Sequence, residues 1–163
     1  MNTQEVSPSQ ITPEKIYSVK SFTLKYTAKT PPPKGDILCS PERVVNMVKG
    51  VFNELDGGPT VEHFGVCYLN TQNEMIAFKA INSGTIDQVA VYPRMIIHTA
   101  LMIGAAGIIL THNHPSGYTD PSEEDKKLTR AIKESARLFD IRVLDHIIVG
   151  HTGYCSFLDK GLL

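Results

Sequence analysis

The stretch GIILTHNHPSGYTDPSEED, residues 107–125, decides how the rest of the chain is read. It opens with a short apolar run, GIILTH (107–112), of strand length and with the composition of a strand buried on both faces. It closes on Ser122, an N-cap residue followed by acids, which starts a helix running to about Leu138 with Leu128, Ile132, Ala136 and Leu138 turned inward. Between strand and helix stand His112 and His114, two of the six histidines in the chain. Side chains two apart on a strand share a face, with Cα atoms about 6.5 Å apart. Two imidazoles at that separation can share one zinc, about 2.0–2.1 Å from each nitrogen. Asp125, in the first helical turn, is the natural third donor, with water completing the set. The same residues also fit a plain capped turn. Ser122 and Asp125 make a capping box, and Glu123 and Glu124 complement the helix dipole. Spacing favours the metal and leaves the capped turn open.

On either side, apolar periodicity alternates between helix and strand. SPERVVNMVKGVFNEL (40–55) has Ser40 as N-cap, Pro41 at the first helical position, and Val44, Val45, Val48, Val51 and Phe52 at helical spacing. EHFGVCYLN (62–70) and EMIAFKAIN (74–82) read as strands joined by TQN into a hairpin. A second helix starts near Pro93 and runs through RMIIHTALMIGA; strands over IRVLDHIIVG (141–150) and GYCSFL (153–158) complete the sheet. The mixed order predicts an α/β sandwich whose sheet contains antiparallel pairs. Residues 1–38 read as a disordered tail (1–14), a strand-like segment (16–28) and a proline-rich linker (29–36), so the folded domain is expected over 39–163.

Composition narrows the function classes. A chain of 163 residues with 42% hydrophobic and 20% charged residues suits one globular domain. Sixteen basic residues balance seventeen acidic ones, which lacks the electrostatic footprint of a dedicated nucleic-acid binder. Cys39, Cys67 and Cys155 are odd in number and widely spaced; they suggest free thiols in a reducing compartment, not a thiolate zinc site or a disulfide framework. The polar N-terminus and the lack of a membrane-length apolar run make a cytoplasmic protein without membrane association the expectation.

The spaced residues His112, His114, Ser122 and Asp125 resemble the JAMM metalloprotease signature, H-x-H, seven residues, then S-x-x-D. The fuller pattern HNHPSG…PSEED, with EHFGV upstream and VLDHIIVG downstream, resembles the bacterial RadC branch of that family over about residues 40–163. The resemblance implies an MPN/JAB1-like mixed sheet, related in layout to cytidine deaminases, with helices packed on it. It further implies a zinc held by His112, His114 and Asp125, and an upstream glutamate acting as general base. The matching glutamate is Glu62; Glu54 and Glu74 are nearby acids among which the sequence alone does not choose. Ser122 would donate to the oxyanion of the tetrahedral intermediate, and Pro115 and Gly117 would shape the loop. His63, His98 and His151 have no donor-like spacing. His146, beside Asp145, reads first as a packed core pair and second as a group that orients a zinc-binding histidine.

The implied function is a zinc-dependent peptidase or isopeptidase with a peptide or protein substrate. Alternatives are a DNA-binding or DNA-repair role, for which RadC proteins are usually named, and a metal-bound scaffold without activity. The helix-hairpin-helix region of longer relatives is not recognisable in the roughly 40 residues ahead of the core. A nucleoside deaminase would need H-x-E and P-C-x-x-C, and neither occurs. The contiguous H-N-H at 112–114 is not the motif of the nucleases known by those letters, which spread their residues over a longer unit. Substrate identity and oligomeric state are not legible.

Overall fold

The computed structural model describes residues 40–83 and 91–163. The tail, strand-like segment and linker expected over 1–38, and Cys39, lie outside the described residues. Helix α1 (Pro41–Glu54) begins at the expected N-cap, although the Ser40 hydroxyl makes no capping bond. A 3-10 turn, Gly58–Thr60, leads into the hairpin of β1 (His63–Leu69) and β2 (Met75–Ser83). Asn70 closes the hairpin by accepting the N–H groups of Gln72 at 2.9 Å and Glu74 at 3.0 Å. Helix α2 (Pro93–Ile103) follows, then β3 (Gly107–Asn113), α3 (Glu123–Arg137), β4 (Arg142–Val149) and β5 (Tyr154–Ser156).

The strands form one sheet in the order β2-β1-β3-β4-β5. Among the described residues only β3 and β4 pair in parallel; the other three pairs are antiparallel. A parallel pair needs a long crossover, and α3 supplies it. Alternation along the strands then sorts the apolar residues onto two faces. Cys67, Leu69, Ile109, Ile147 and Val149 pack against Val44, Val45, Val48 and Phe52 of α1. Phe64, Val66, Tyr68, Ile108 and Leu110 pack on the other face against Ile96, Ile97 and Ala100 of α2 and Ile132 and Ala136 of α3. This is the mixed α/β architecture the sequence pattern predicts. Strand β3 lies at the centre and is buried along its whole length.

Gly65 marks a close approach inside the hairpin. A Cβ there would lie 2.4 Å from the Phe78 ring, and the β1–β2 register shifts between Phe64 and Gly65. Two expectations need correction. Leu138 is 81% exposed, not inward. It occupies the C-cap of α3, two residues past Ala136 and so on the opposite side from the i, i+4 stripe of Leu128, Ile132 and Ala136. Strand β5 is shorter than 153–158: beyond Ser156 the chain turns, and Leu158 N–H donates to Asp145 Oδ1 at 2.9 Å. Cys67 and Cys155 are free and buried, and burial pushes both thiols up. Among the described residues no helix is long and apolar enough to cross a membrane.

Candidate metal centre

Near its end, strand β3 turns His112 to the α2/α3 face. His112 is the last histidine within the strand, and His114 follows it while still bonded to β4 through His114 N–H to Val149 O at 3.1 Å. A tight turn then reverses the chain, closed by Gly117 N–H to His114 O at 2.9 Å with Pro115 at its first corner. Gly117 has φ +82, a conformation that favours glycine, and a Cβ there would press on the exposed His151 ring, 2.7 Å from Nδ1. The loop returns to Ser122, where α3 begins.

The capping box and the cluster of metal-type donors exist together. Ser122 Oγ accepts the Asp125 N–H at 3.0 Å, and Asp125 Oδ2 accepts both the Ser122 N–H at 2.8 Å and the Ser122 hydroxyl at 2.7 Å. Capping thus employs Oδ2 and turns Oδ1 toward His112 Nε2, 3.3 Å away. The second distance, His114 Nε2 to Asp125 Oδ2, is 3.6 Å, and the two histidine Nε2 atoms are 2.9 Å apart. A tetrahedral zinc with donors at about 2.0–2.1 Å places them about 3.3–3.4 Å from one another. The three separations lie on either side of that value, the two to Asp125 running to different oxygens of its carboxylate.

Hydrogen bonding fixes which nitrogens face inward. His114 Nδ1 lies 2.8 Å from the Tyr118 carbonyl, which only accepts, so Nδ1 carries the proton and Nε2 a lone pair. On the other side, Thr129 Oγ1 donates to Asp125 O at 2.6 Å, and its lone pair receives His146 Nδ1–H at 2.6 Å. His146 Nε2 then accepts His112 Nδ1–H at 2.8 Å, leaving His112 Nε2 as a lone pair. Two imine lone pairs and a carboxylate facing one centre repel unless a proton or cation lies among them. This donor set therefore fits zinc.

Burial, opposed by Asp125, lowers the pKa of His112, and burial drives His146 well below the usual imidazole range. Asp125 raises the pKa of His114, because a proton gained at Nε2 would bond to the carboxylate, and partial burial opposes it. Burial disfavours the Asp125 anion, yet the Ser122 hydroxyl and the two imidazoles, which donate to it whenever Nε2 carries a proton, outweigh that cost and hold the carboxyl far below the usual range. Asp125 is 2% exposed, so it is an anion held inside the protein by its neighbours.

Glu62 reaches the same place by strand parity. Phe64 pairs with His112 in the antiparallel β1–β3 ladder, so Glu62, two residues earlier, lies on the face of His112 and His114. Donor atoms of Glu62, His112 and His114 all lie within 4.8 Å of one another. Glu74 is at the opposite end of β1, where it accepts from Asn70 Nδ2 at 2.7 Å, and Glu54 is exposed at the end of α1. The glutamate matched by resemblance is the one beside the histidines.

His146 differs from the core pair expected with Asp145. Neighbouring strand residues face opposite ways, and the two side chains have separate partners. Asp145 accepts from Ser156 Oγ at 2.6 Å, Leu158 N at 2.9 Å and His146 N at 2.7 Å. The His146 ring, fully buried, bridges His112 and Thr129 instead. Thr129 was not singled out from sequence. Its signal is the spacing: four residues after Asp125 on the buried stripe of α3. His63 is buried against Phe52 and bonds Gly58 O, His98 is exposed on α2, and His151 packs beside Gly117.

Comparison with known proteins agrees with this architecture. The family model described as "RadC-like JAB domain" matches residues 38–162. A UPF0758 protein of Saccharophagus degradans is 49% identical over 100 residues, covering 61% of this chain and 45% of the relative. One from Leptothrix cholodnii is 41% identical over 124 residues, covering 76% and 54%, and one from Vibrio vulnificus is 38% identical over 146 residues, covering 90% and 63%. The chain thus spans about half the length of these relatives. It carries a JAB-type domain, a superfamily that includes metallohydrolases. The chain belongs to the RadC family of the JAB/MPN superfamily.

Proposed function

We propose that this domain is a zinc-dependent hydrolase of amide bonds, a peptidase or isopeptidase acting on a peptide or protein substrate. The observation that carries the reading is the convergence of His112 Nε2, His114 Nε2 and an Asp125 carboxylate within 2.9–3.6 Å of one another, with Glu62 adjoining on the same face. Those three side chains would hold the metal. When bound, zinc would lower the pKa of a coordinated water toward about 7 and polarise the scissile carbonyl. Glu62 accepts a proton from the attacking water and returns it to the leaving amine, a general base turned acid. Ser122 has one hydroxyl proton, now given to Asp125 Oδ2, and must rotate to donate it to a developing oxyanion. His146 and Thr129 keep the His112 Nε2 lone pair directed inward.

The test joins metal analysis to one substitution. Purified protein should bind one zinc per chain and cleave members of an internally quenched peptide library. Glu62→Gln should retain the zinc and lose activity by about 10²–10⁴-fold, the range attributed to general acid–base catalysis. Absence of stoichiometric zinc after addition, or a Glu62→Gln protein as active as the parent, refutes the reading. Zinc binding with no cleavage by either protein favours a metal-bound scaffold.

A further inference from the structure

Asn113, the middle residue of the histidine pair, faces the other way. Alternation sends its side chain to the α1 side of the sheet, where it is 7% exposed. Its carboxamide is used at both ends. Oδ1 accepts the His63 N–H at 2.8 Å, while Nδ2 donates to Val61 O at 2.9 Å and approaches Pro59 O at 3.5 Å. The β1–β3 ladder stops at the Phe64–His112 pair, so beyond that point a side chain takes over from the main chain. Its two short bonds fall on the residues either side of Glu62. The His63 ring ties the same segment from its other end, with Nε2–H donating to Gly58 O at 2.8 Å and the ring stacked on Phe52. Glu62 therefore rides on a backbone fastened on both sides, with its carboxylate directed through to the histidine face.

We propose that Asn113 is a positioning residue: one carboxamide between the two histidines sets the reach of Glu62 to them. The inference deepens the hydrolase reading and rests on it for the role of Glu62. On one side the start of β1 is held to β2 by the His63–Ser83 pair, and on the β3 side, past the last Phe64–His112 pair, the Asn113 carboxamide holds it. A misplacement of about 1 Å at a reacting group can cost about 10²-fold in rate. The carboxamide is suited to the task because it both donates and accepts from one planar group. Aspartate of the same shape would present a second oxygen to Val61 O and lose that bond.

The test uses Asn113→Asp and Asn113→Ser in the full chain, with thermal unfolding confirming that each folds. His112, His114 and Asp125 stand outside the tie, so zinc affinity, read by competition with a chelating dye, should match the parent. The His63 amide should exchange hydrogen faster in Asn113→Ser, which loses its carbonyl acceptor. In crystals of zinc-soaked variants the Glu62 carboxylate should move by about 1 Å, and kcat on the peptide library should fall about 10²-fold at unchanged KM. Adding Glu62→Gln to either variant should cost less than it does in the parent, because both changes act on the same group. Variants that keep parental kcat with the Glu62 carboxylate in place overturn the proposal, as does a loss confined to zinc affinity. If the parent cleaves nothing, the hydrolase reading fails, and the displacement of Glu62 still decides the positioning.

Discussion

Thr129→Val tests whether a chain of hydrogen bonds sets the tautomer of His112. The substitution keeps shape and removes only Oγ1, the atom that gives its proton to Asp125 O and accepts from His146 Nδ1. Without it the His146 Nδ1–H faces a methyl group in a fully buried site. Two responses are open. The ring can keep that proton unsatisfied, at a cost of about 1–3 kcal/mol. Otherwise His146 and His112 both exchange tautomers, which places a proton on His112 Nε2 beside Asp125 Oδ1, 3.3 Å away. The metal-free protein should take the second course, because every donor then has an acceptor. Zinc binding must reverse it, so the 1–3 kcal/mol appears as a zinc dissociation constant raised about 5- to 150-fold. Competition against a fluorescent chelator measures the constant, and nitrogen-15 shifts of the two rings report the tautomers. Thr129→Ser keeps the hydroxyl and should restore both. Thr129→Val binding zinc as tightly as the parent, with His112 still protonated at Nδ1, would refute the reasoning.

Other outcomes follow from individual contacts. Asp125→Ala removes a donor and the reciprocal half of the capping box together; thermal unfolding without zinc should show a loss of about 0.5–2 kcal/mol, and zinc titration should show no tight site. Unchanged stability would mean that the box contributes nothing. Asp145→Ala leaves Ser156 Oγ and the N–H groups of His146 and Leu158 without their acceptor, and denaturant unfolding should register a loss of about 2–5 kcal/mol. A loss under half of that would show that water replaces the carboxylate. Tyr154 donates to Glu42, which raises the phenol to about 12 and lowers the carboxyl. A raised folded pKa stabilises below the unfolded value of about 10 and loses that effect as pH rises through 12. The melting-temperature gap between the parent and Tyr154→Phe should therefore be widest near neutral pH and narrow from pH 10 upward; a gap independent of pH counts against the bond.

Much of this protein was legible because its signals are local. Pro41 after Ser40, the valine stripe of α1, the apolar run of β3 and the Ser122–Asp125 box each depend on neighbours within one turn or one strand. The H-x-H spacing at a strand exit needed only the two-residue period to put both imidazoles on one side. Leu138 shows the limit of such counting: it continues the apolar sequence but not the helical stripe, and it faces solvent.

The order of the strands, the choice of Glu62 over Glu54 and Glu74, and the company kept by His146 needed the folded chain. Each turns on a pairing between segments far apart in sequence: Phe64 with His112, Leu110 with His146, and Asn113 with the residues flanking Glu62. Register decides these contacts, and a shift of one residue would turn every side chain to the other face. The sequence by itself determined the kinds of donor and the elements that carry them. Tertiary structure decided which of them meet, because long-range register is selected by the burial of two whole sheet faces and not by any short stretch of residues.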